Sequence, residues 1–192
     1  MEAEIKFEAP GPEALAQLPK VLHDLGLSVL DCGHRTLVDR YLDTPKASVQ
    51  ASGWALRFRS GESEDGKLLR TLKALSPSDG DGLSEREEIE SWVESIDKEW
   101  KGDALSESFK IFQDRWWWRA CNGDCEIEAS YDLVQWRKSL DGQTLCDEAF
   151  AIELELKLGT PSNLTQLASE LSGKTGWHPA QWSKFSRGLD LK

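Results

Sequence analysis

The chain has 192 residues, of which 39% are hydrophobic and 30% charged, with a net charge of −11. That balance describes a single soluble globular domain, expected over residues 1–192, with a core large enough to need no disulfides. The acidic excess argues against a nonspecific nucleic-acid binder, which needs a basic footprint, and no apolar run approaches the roughly 20 residues of a membrane span.

A strand is predicted over residues 2–8, ended by Pro10-Gly11-Pro12. Leu15, Leu18, Leu22 and Leu25 then recur at helical spacing up to a stop at Gly26. Residues 27–43 read as two strands with a turn near Gly33, closed by the Tyr41-Leu42-Asp43-Thr44-Pro45 turn. A short helix or loop leads to Ser52-Gly53, and a strand carrying Arg57 and Arg59 follows. Gly61 to Gly66 is a charged hairpin turn before a strand carrying Lys73, and 76–82 is a Ser/Asp/Gly/Pro loop, the expected flexible point. A strand from Arg86 to about Val93, a short helix and loop over 95–108, and a strand over 109–120 come next. Asn122-Gly123-Asp124 is a hairpin turn, followed by strands over 125–137 and 146–158. Pro161 opens a helix to about Ser172, with Leu164, Leu167, Ala168 and Leu171 on its apolar face, and residues 180–192 form a short helix plus strand or coil.

The predicted strands share a design. Side chains alternate between the faces of a strand. Glu2-Ala3-Glu4-Ile5-Lys6 therefore sets two carboxylates and an ammonium on one face, and Glu153-Leu154-Glu155-Leu156-Lys157 repeats the pattern. Arg57 and Arg59 share a face, as do Thr71 with Lys73, Arg86 with Glu88 and Glu90, and Glu128 with Ser130 and Asp132. The plain reading is a set of antiparallel strands with one wet face and one core face. The alternative is a barrel with the charges inside, whose acids hold a hard divalent metal and whose bases hold a polyanion. Register of Arg, Lys and Glu on strand after strand favours the second.

Other conspicuous residues read as ordinary. Trp116 and Trp118 are expected on the apolar face beneath a helix, and His23, His34 and His178 are scattered. Cys121 and Cys125 lack a second pair at zinc spacing, so Cys32, Cys121, Cys125 and Cys146 read as free thiols. No phosphate-binding glycine loop or nucleophile elbow occurs. With a charged strand expected from residue 2, no leader is expected, and the cytoplasm is the expected compartment.

The ordered motifs resemble the CYTH superfamily, the triphosphate tunnel metalloenzymes, over essentially the whole chain. The resemblance rests on Glu2/Glu4/Lys6, the Tyr41/Asp43 turn, Arg57/Arg59, Lys73, Arg86/Glu88/Glu90, Arg115, Asp132, Glu153/Glu155 and Ser183-Lys184. It is strongest with bacterial inorganic triphosphatases from about Ile127 to Leu189. It implies a mainly β (α+β) fold: a closed eight-stranded antiparallel barrel with helices packed outside and the active site in its tunnel. A second, helical histidine-containing domain found in some relatives is expected to be absent. Lys6, Arg57, Arg59, Lys73, Arg86, Arg115 and Lys184 are then expected to bind a small polyanion, tripolyphosphate or an organic triphosphate. Glu2, Glu4, Asp132, Glu153 and Glu155 are expected to hold Mg²⁺ or Mn²⁺, while Glu88, Glu90, Glu128 and Ser130 complete the tunnel. Lys73 and Tyr41 match a pair placed near the leaving group, and Glu4 is expected to be catalytic. The expected state is a monomer or homodimer.

Among substrates, inorganic tripolyphosphate leads. Animal-type thiamine triphosphatases carry Trp directly before Leu-Arg-x-Arg, where this chain has Ala55, with Trp54 on the outer face. Cyclisation of ATP, as in class IV adenylyl cyclases, is the enzymatic runner-up. A non-catalytic polyphosphate- or nucleotide-binding module is the alternative of another class.

Overall fold

In the computed structural model, residues 2–75, 83–123 and 125–192 are described; the loop expected at 76–82 and the Asp124 end of the hairpin turn lie outside them. The elements in chain order are β1 (Glu2–Glu8), α1 (Glu13–Asp24), β2 (Ser28–Asp43), α2 (Ser48–Ala51), β3 (Trp54–Ser60), β4 (Leu68–Ala74), β5 (Leu83–Arg86) and β6 (Glu88–Val93). They continue with β7 (Glu99–Trp100), β8 (Asp103–Ala104), β9 (Ser106–Asn122), β10 (Cys125–Leu140), β11 (Gln143–Leu158), α3 (Pro161–Thr175) and α4 (Lys184–Leu189).

Nine strands form one curled antiparallel sheet in the order β5-β1-β11-β10-β9-β2-β3-β4-β6. The expected strand from Arg86 to Val93 is real but broken at Glu87. Its first half pairs with β1 and its second with β4, on opposite ends of the sheet. The expected eighth stave is thus β5 plus β6, and the barrel is closed by the continuity of that one segment. Among the described residues no backbone ladder runs the length of this seam, so full closure overstates it. Side chains help to hold the seam: Lys73 on β4 bonds Glu2 on β1 and lies 2.5 Å from Glu88 on β6.

Three packing clusters explain the shape. The outer faces of β1, β9, β10 and β11 bury Ile5, Phe7, Ile127, Ile152 and Leu154 under Leu18 and Leu22 of α1 and Leu164 and Leu171 of α3. Trp116 and Trp118 pack against this cluster, as their alternation predicts. Leu42, Val49, Leu56 and Phe58 form a second outer cluster, with Trp54 and Trp100 against it. A third lies on the inner face, where Tyr41, Phe109, Ile111, Val134 and Trp136 meet Phe185 and Leu189 of α4. The helices are therefore not all outside: α4 plugs one end of the barrel. Gly188 allows this, because a Cβ there would stand 2.2 Å from the Phe109 ring.

Two other expectations change. Residues 28–43 form one continuous strand rather than two, and Gly33 is not a turn. Its missing side chain makes room for Trp117, whose ring a Cβ would meet at 2.9 Å. The expected helix in 95–108 is the hairpin β7–β8, because Lys101 and Gly102 both take positive φ, 50° and 88°. That pair of conformations belongs to a two-residue hairpin turn. Among the described residues, no helix is long and apolar enough to cross a membrane.

Candidate active site

Inside the curled sheet lies a cavity of about 230 Å³. It is lined by Glu2, Glu4, Lys6, Tyr41, Arg57, Arg59, Lys73, Arg86, Glu88, Glu90, Arg115, Glu128, Ser130, Glu153, Glu155 and Lys184. The charges predicted by alternation are thus gathered on the inner face, and the wet-outside reading is excluded. Of the expected site residues, Asp132 alone does not line the cavity. It lies 0% exposed behind it, with both carboxylate oxygens engaged. Arg115 donates to them from Nε and Nη2 at 2.7 and 2.6 Å, and Lys184 Nζ adds a third bond at 2.7 Å.

The two Glu-x-Glu-x-Lys segments pair with each other, antiparallel. Glu4 faces Glu155, and Lys6 faces Glu153. Lys6 Nζ lies 3.1 Å from Glu153 Oε1. Glu153 also accepts from Arg115 at 2.5 Å and from Lys184 at 3.2 Å. Burial opposes ionisation of Glu153, but Lys184, Lys6 and Arg115 outweigh it and hold the group well below the usual carboxylate range. Burial likewise pulls Lys184 below the usual lysine range, against the opposing pull of Asp132 and Glu153.

One row lacks such compensation. Glu155 is the register partner of both Glu4 and Glu128, so three carboxylates stand side by side on β1, β11 and β10. Directly opposed side chains in a sheet have Cβ atoms about 4.5–5.5 Å apart. Glu155 is raised by burial first, with Glu128 and Glu4 adding to it and Lys157 opposing. Among the described residues, no three acid, His or Cys side chains already stand together as a metal-binding group. The Glu4–Glu155–Glu128 row nevertheless has the right chemistry: hard oxygen donors whose mutual repulsion a divalent cation relieves.

Lys73 sits among Glu2, Glu88 and, at 3.9 Å, Glu4. Burial disfavours its charge, but Glu4, Glu2 and Glu88 outweigh that and raise it above the usual lysine range. Glu2 moves the other way from an ordinary acid. Burial, then Glu4, push it up to about 8. Lys73 and Tyr41 share one small recess with Arg57, Thr71 and Phe185. Burial raises the Tyr41 phenol, with Arg57 opposing, so it stays protonated.

The two arginines of Leu56-Arg57-Phe58-Arg59 differ. Arg59 is locked onto fully buried Asp39 by Nε and Nη2 at 2.6 and 2.8 Å. Arg57 donates to Thr71 Oγ1 at 3.0 Å, stands 3.8 Å from Asp39, and keeps a buried Nε with no partner among the described residues. Sequence reasoning missed Asp39, which also accepts from Gln113 Nε2 at 2.8 Å. Its signal was present: it is in phase with Tyr41 on β2. Ser130 Oγ is buried without a partner. Arg86 stands opposite Glu2 across the β1–β5 ladder.

The family model for the CYTH domain matches residues 1–189. The chain belongs to the CYTH domain family. No curated protein matches it, but solved structures share the CYTH fold. A candidate adenylyl cyclase from Hippeastrum, described as having a dominant triphosphatase activity, is 18% identical with a TM-score of 0.67 over 100% of both chains. A candidate adenylate cyclase from Bacillus halodurans is 16% identical, TM-score 0.63, over 97% of this chain and 96% of that one. The RNA triphosphatase domain of a mimivirus mRNA capping enzyme is 12% identical, TM-score 0.52, over 88% of each. At these identities the likeness is one of fold.

Proposed function

We propose that this CYTH domain is a metal-dependent triphosphatase that releases the terminal phosphate of inorganic tripolyphosphate inside its tunnel. The carrying observation is the single cavity in which Lys6, Arg57, Lys73, Arg86 and Lys184 face an acidic row. A triphosphate carries about four to five negative charges near neutrality. These bases roughly match it, and the cavity requires no organic group to fill it.

Arg57 is the guanidinium freest to grip a phosphate oxygen, since its Nε is uncommitted. Arg59 and Arg115, each held by a carboxylate fork, fix the wall and supply field rather than direct bonds. Asp39 anchors Arg59, and Asp132 anchors Arg115. Lys73 stays charged and Tyr41 stays protonated, so both can stabilise the leaving pyrophosphate oxygen. Water attacks the terminal phosphorus, the phosphoanhydride P–O bond breaks, and phosphate and pyrophosphate result. Glu4 and Glu155 would hold Mg²⁺ or Mn²⁺ with Glu128, and Glu2 and Glu153 border that row. The ion's contribution is to neutralise phosphate charge and activate water.

The test is phosphate release from tripolyphosphate, ATP and thiamine triphosphate, each with Mg²⁺ and with Mn²⁺. Tripolyphosphate should be the best substrate, and EDTA should abolish turnover. Glu4→Gln and Glu155→Gln should each reduce kcat/KM by at least about 100-fold while the chain stays folded. Full activity in EDTA would sink the metal assignment. Cyclic product from ATP in place of phosphate would favour the cyclase reading.

A further inference from the structure

The arginines of the lumen are unevenly neutralised. Arg35 is in phase with Asp39 and Tyr41 on β2, and it lines the cavity opposite Arg115 across the β2–β9 ladder. Like charges directly opposed in a sheet repel each other. Arg115 is neutralised by Asp132 and Glu153, and Arg59 by the Asp39 fork. Arg35 has no carboxylate of the sheet against it among the described residues. Its guanidinium lies over the Trp117 ring at 4.8 Å and donates from Nη1 to Glu62 Oε2 at 2.9 Å.

Glu62 belongs to the 61–67 loop between β3 and β4. Gly61 presses that loop onto β2: its φ is 92°, and a Cβ there would stand 2.2 Å from the Thr36 carbonyl oxygen. The turn brings Glu62 into the cavity wall, where its other oxygen accepts from Arg59 Nη1 at 3.4 Å. A loop carboxylate thus bridges two guanidinium groups that face a polyanion site. Its departure strands no buried charge. Arg59 keeps Asp39, and the side chain of Arg35 is 35% exposed.

We propose that Glu62 is a resident counter-anion that holds the place of a phosphate group on Arg35, and that a phosphate chain binds by displacing it. This rests on the triphosphate reading of the tunnel and adds a built-in brake on its affinity. Arg35 prefers a phosphate fork to one carboxylate bond. The ligand must nevertheless break the Glu62 contacts first, so the tunnel holds it more loosely than bare guanidinium groups would.

The experiment is calorimetric binding of an imido-bridged tripolyphosphate with Mg²⁺ to wild type and to Glu62→Gln, Glu64→Gln, Arg35→Ala and the double variant Arg35→Ala/Glu62→Gln. Glu64 lies exposed two residues further along the loop, so its variant makes the same change of charge outside the cavity. Glu62→Gln should tighten binding about fivefold or more, and Glu64→Gln should stay within about twofold. Arg35→Ala should weaken binding about fivefold, and in that background Glu62→Gln should gain less than about twofold. Unchanged or weaker binding by Glu62→Gln, equal tightening by Glu64→Gln, or the full gain without Arg35 would overturn the brake. Turnover of tripolyphosphate by wild type is scored separately. Its absence would count against the triphosphatase reading while leaving the binding comparison intact.

Discussion

The same five-residue pattern occurs twice, and the two copies do different work. In Glu2-Ala3-Glu4-Ile5-Lys6 the lysine is buried against carboxylates of both strands. In Glu153-Leu154-Glu155-Leu156-Lys157 the lysine stands at the mouth and, among the described residues, pairs only with Glu155 of its own strand, at 2.6 Å. Antiparallel pairing causes the difference. Aligning Glu4 with Glu155 puts Lys6 beside Glu153 in the plugged half of the tunnel and directs Lys157 toward solvent. A repeated sequence thus yields one locked half, where charges hold each other, and one open half, where like charges are left for a ligand to reconcile.

The largest effect is expected from breaking the locked half. Lys6→Ala takes one of three cations from Glu153 and leaves Glu4 facing Lys73 at 3.9 Å. Removing one partner of a buried pair costs about 3–5 kcal/mol, which for a chain of this size lowers the melting temperature by roughly 6–20 °C. Tripolyphosphate turnover should fall with it. A thermal melt within about 2 °C of wild type would show that the locked half does not bear on stability.

The contrast recurs on β3 and can be sharpened there. Arg59→Ala strands fully buried Asp39 and should destabilise by about 3 kcal/mol or more. Arg57→Ala removes a looser group and should raise KM for tripolyphosphate about tenfold or more, with little change in the melt. If both substitutions raise KM equally and leave the melt alone, the two arginines share one role.

Much of this was legible because alternation is a local property. Glu2, Glu4, Lys6, Arg57, Lys73, Glu88, Glu153 and Glu155 each face inward as their strand phase predicts. What was not legible depended on distant neighbours. Gly33 has the composition of a turn but lies inside β2, paired with Trp117 of β9, whose ring fills the space a Cβ would take. The break at Glu87 follows from the need of one segment to pair with β1 and β4 at opposite ends of a sheet. Strand phase places Asp132 near the lumen, but only the β9–β10 register and the position of α4 show that Arg115 and Lys184 occupy its oxygens.

The two copies should also respond oppositely to pH in the metal-free chain. Glu2 is raised from 4.5 to about 8, by burial and then by Glu4, so the folded chain binds the extra proton between those values. Its contribution is present below the unfolded value and is lost as pH rises toward about 8. Glu153 is held low by Lys184, Lys6 and Arg115, so its contribution is present at neutral pH and is lost only on acidification through its folded value. Melts in EDTA should show that Glu2→Gln flattens the fall in stability across the neutral range. An unchanged slope would mean that Glu2 does not carry that proton.

The smallest effect belongs to Lys157. Its ammonium is half in solvent and touches one carboxylate of its own strand, a geometry worth at most about 1 kcal/mol and weakened by salt. Lys157→Ala should therefore leave the melt within about 2 °C of wild type, where Lys6→Ala does not. Its trace should appear in the cation instead. Lys157 opposes the upward shift of Glu155, so its removal leaves that carboxylate harder to ionise and more dependent on a divalent ion. The metal concentration needed for half-maximal activity should change by no more than a few-fold, and the change should shrink at high salt. A loss of stability matching that of Lys6→Ala would mean that the two copies are equivalent and that the division into locked and open halves is wrong.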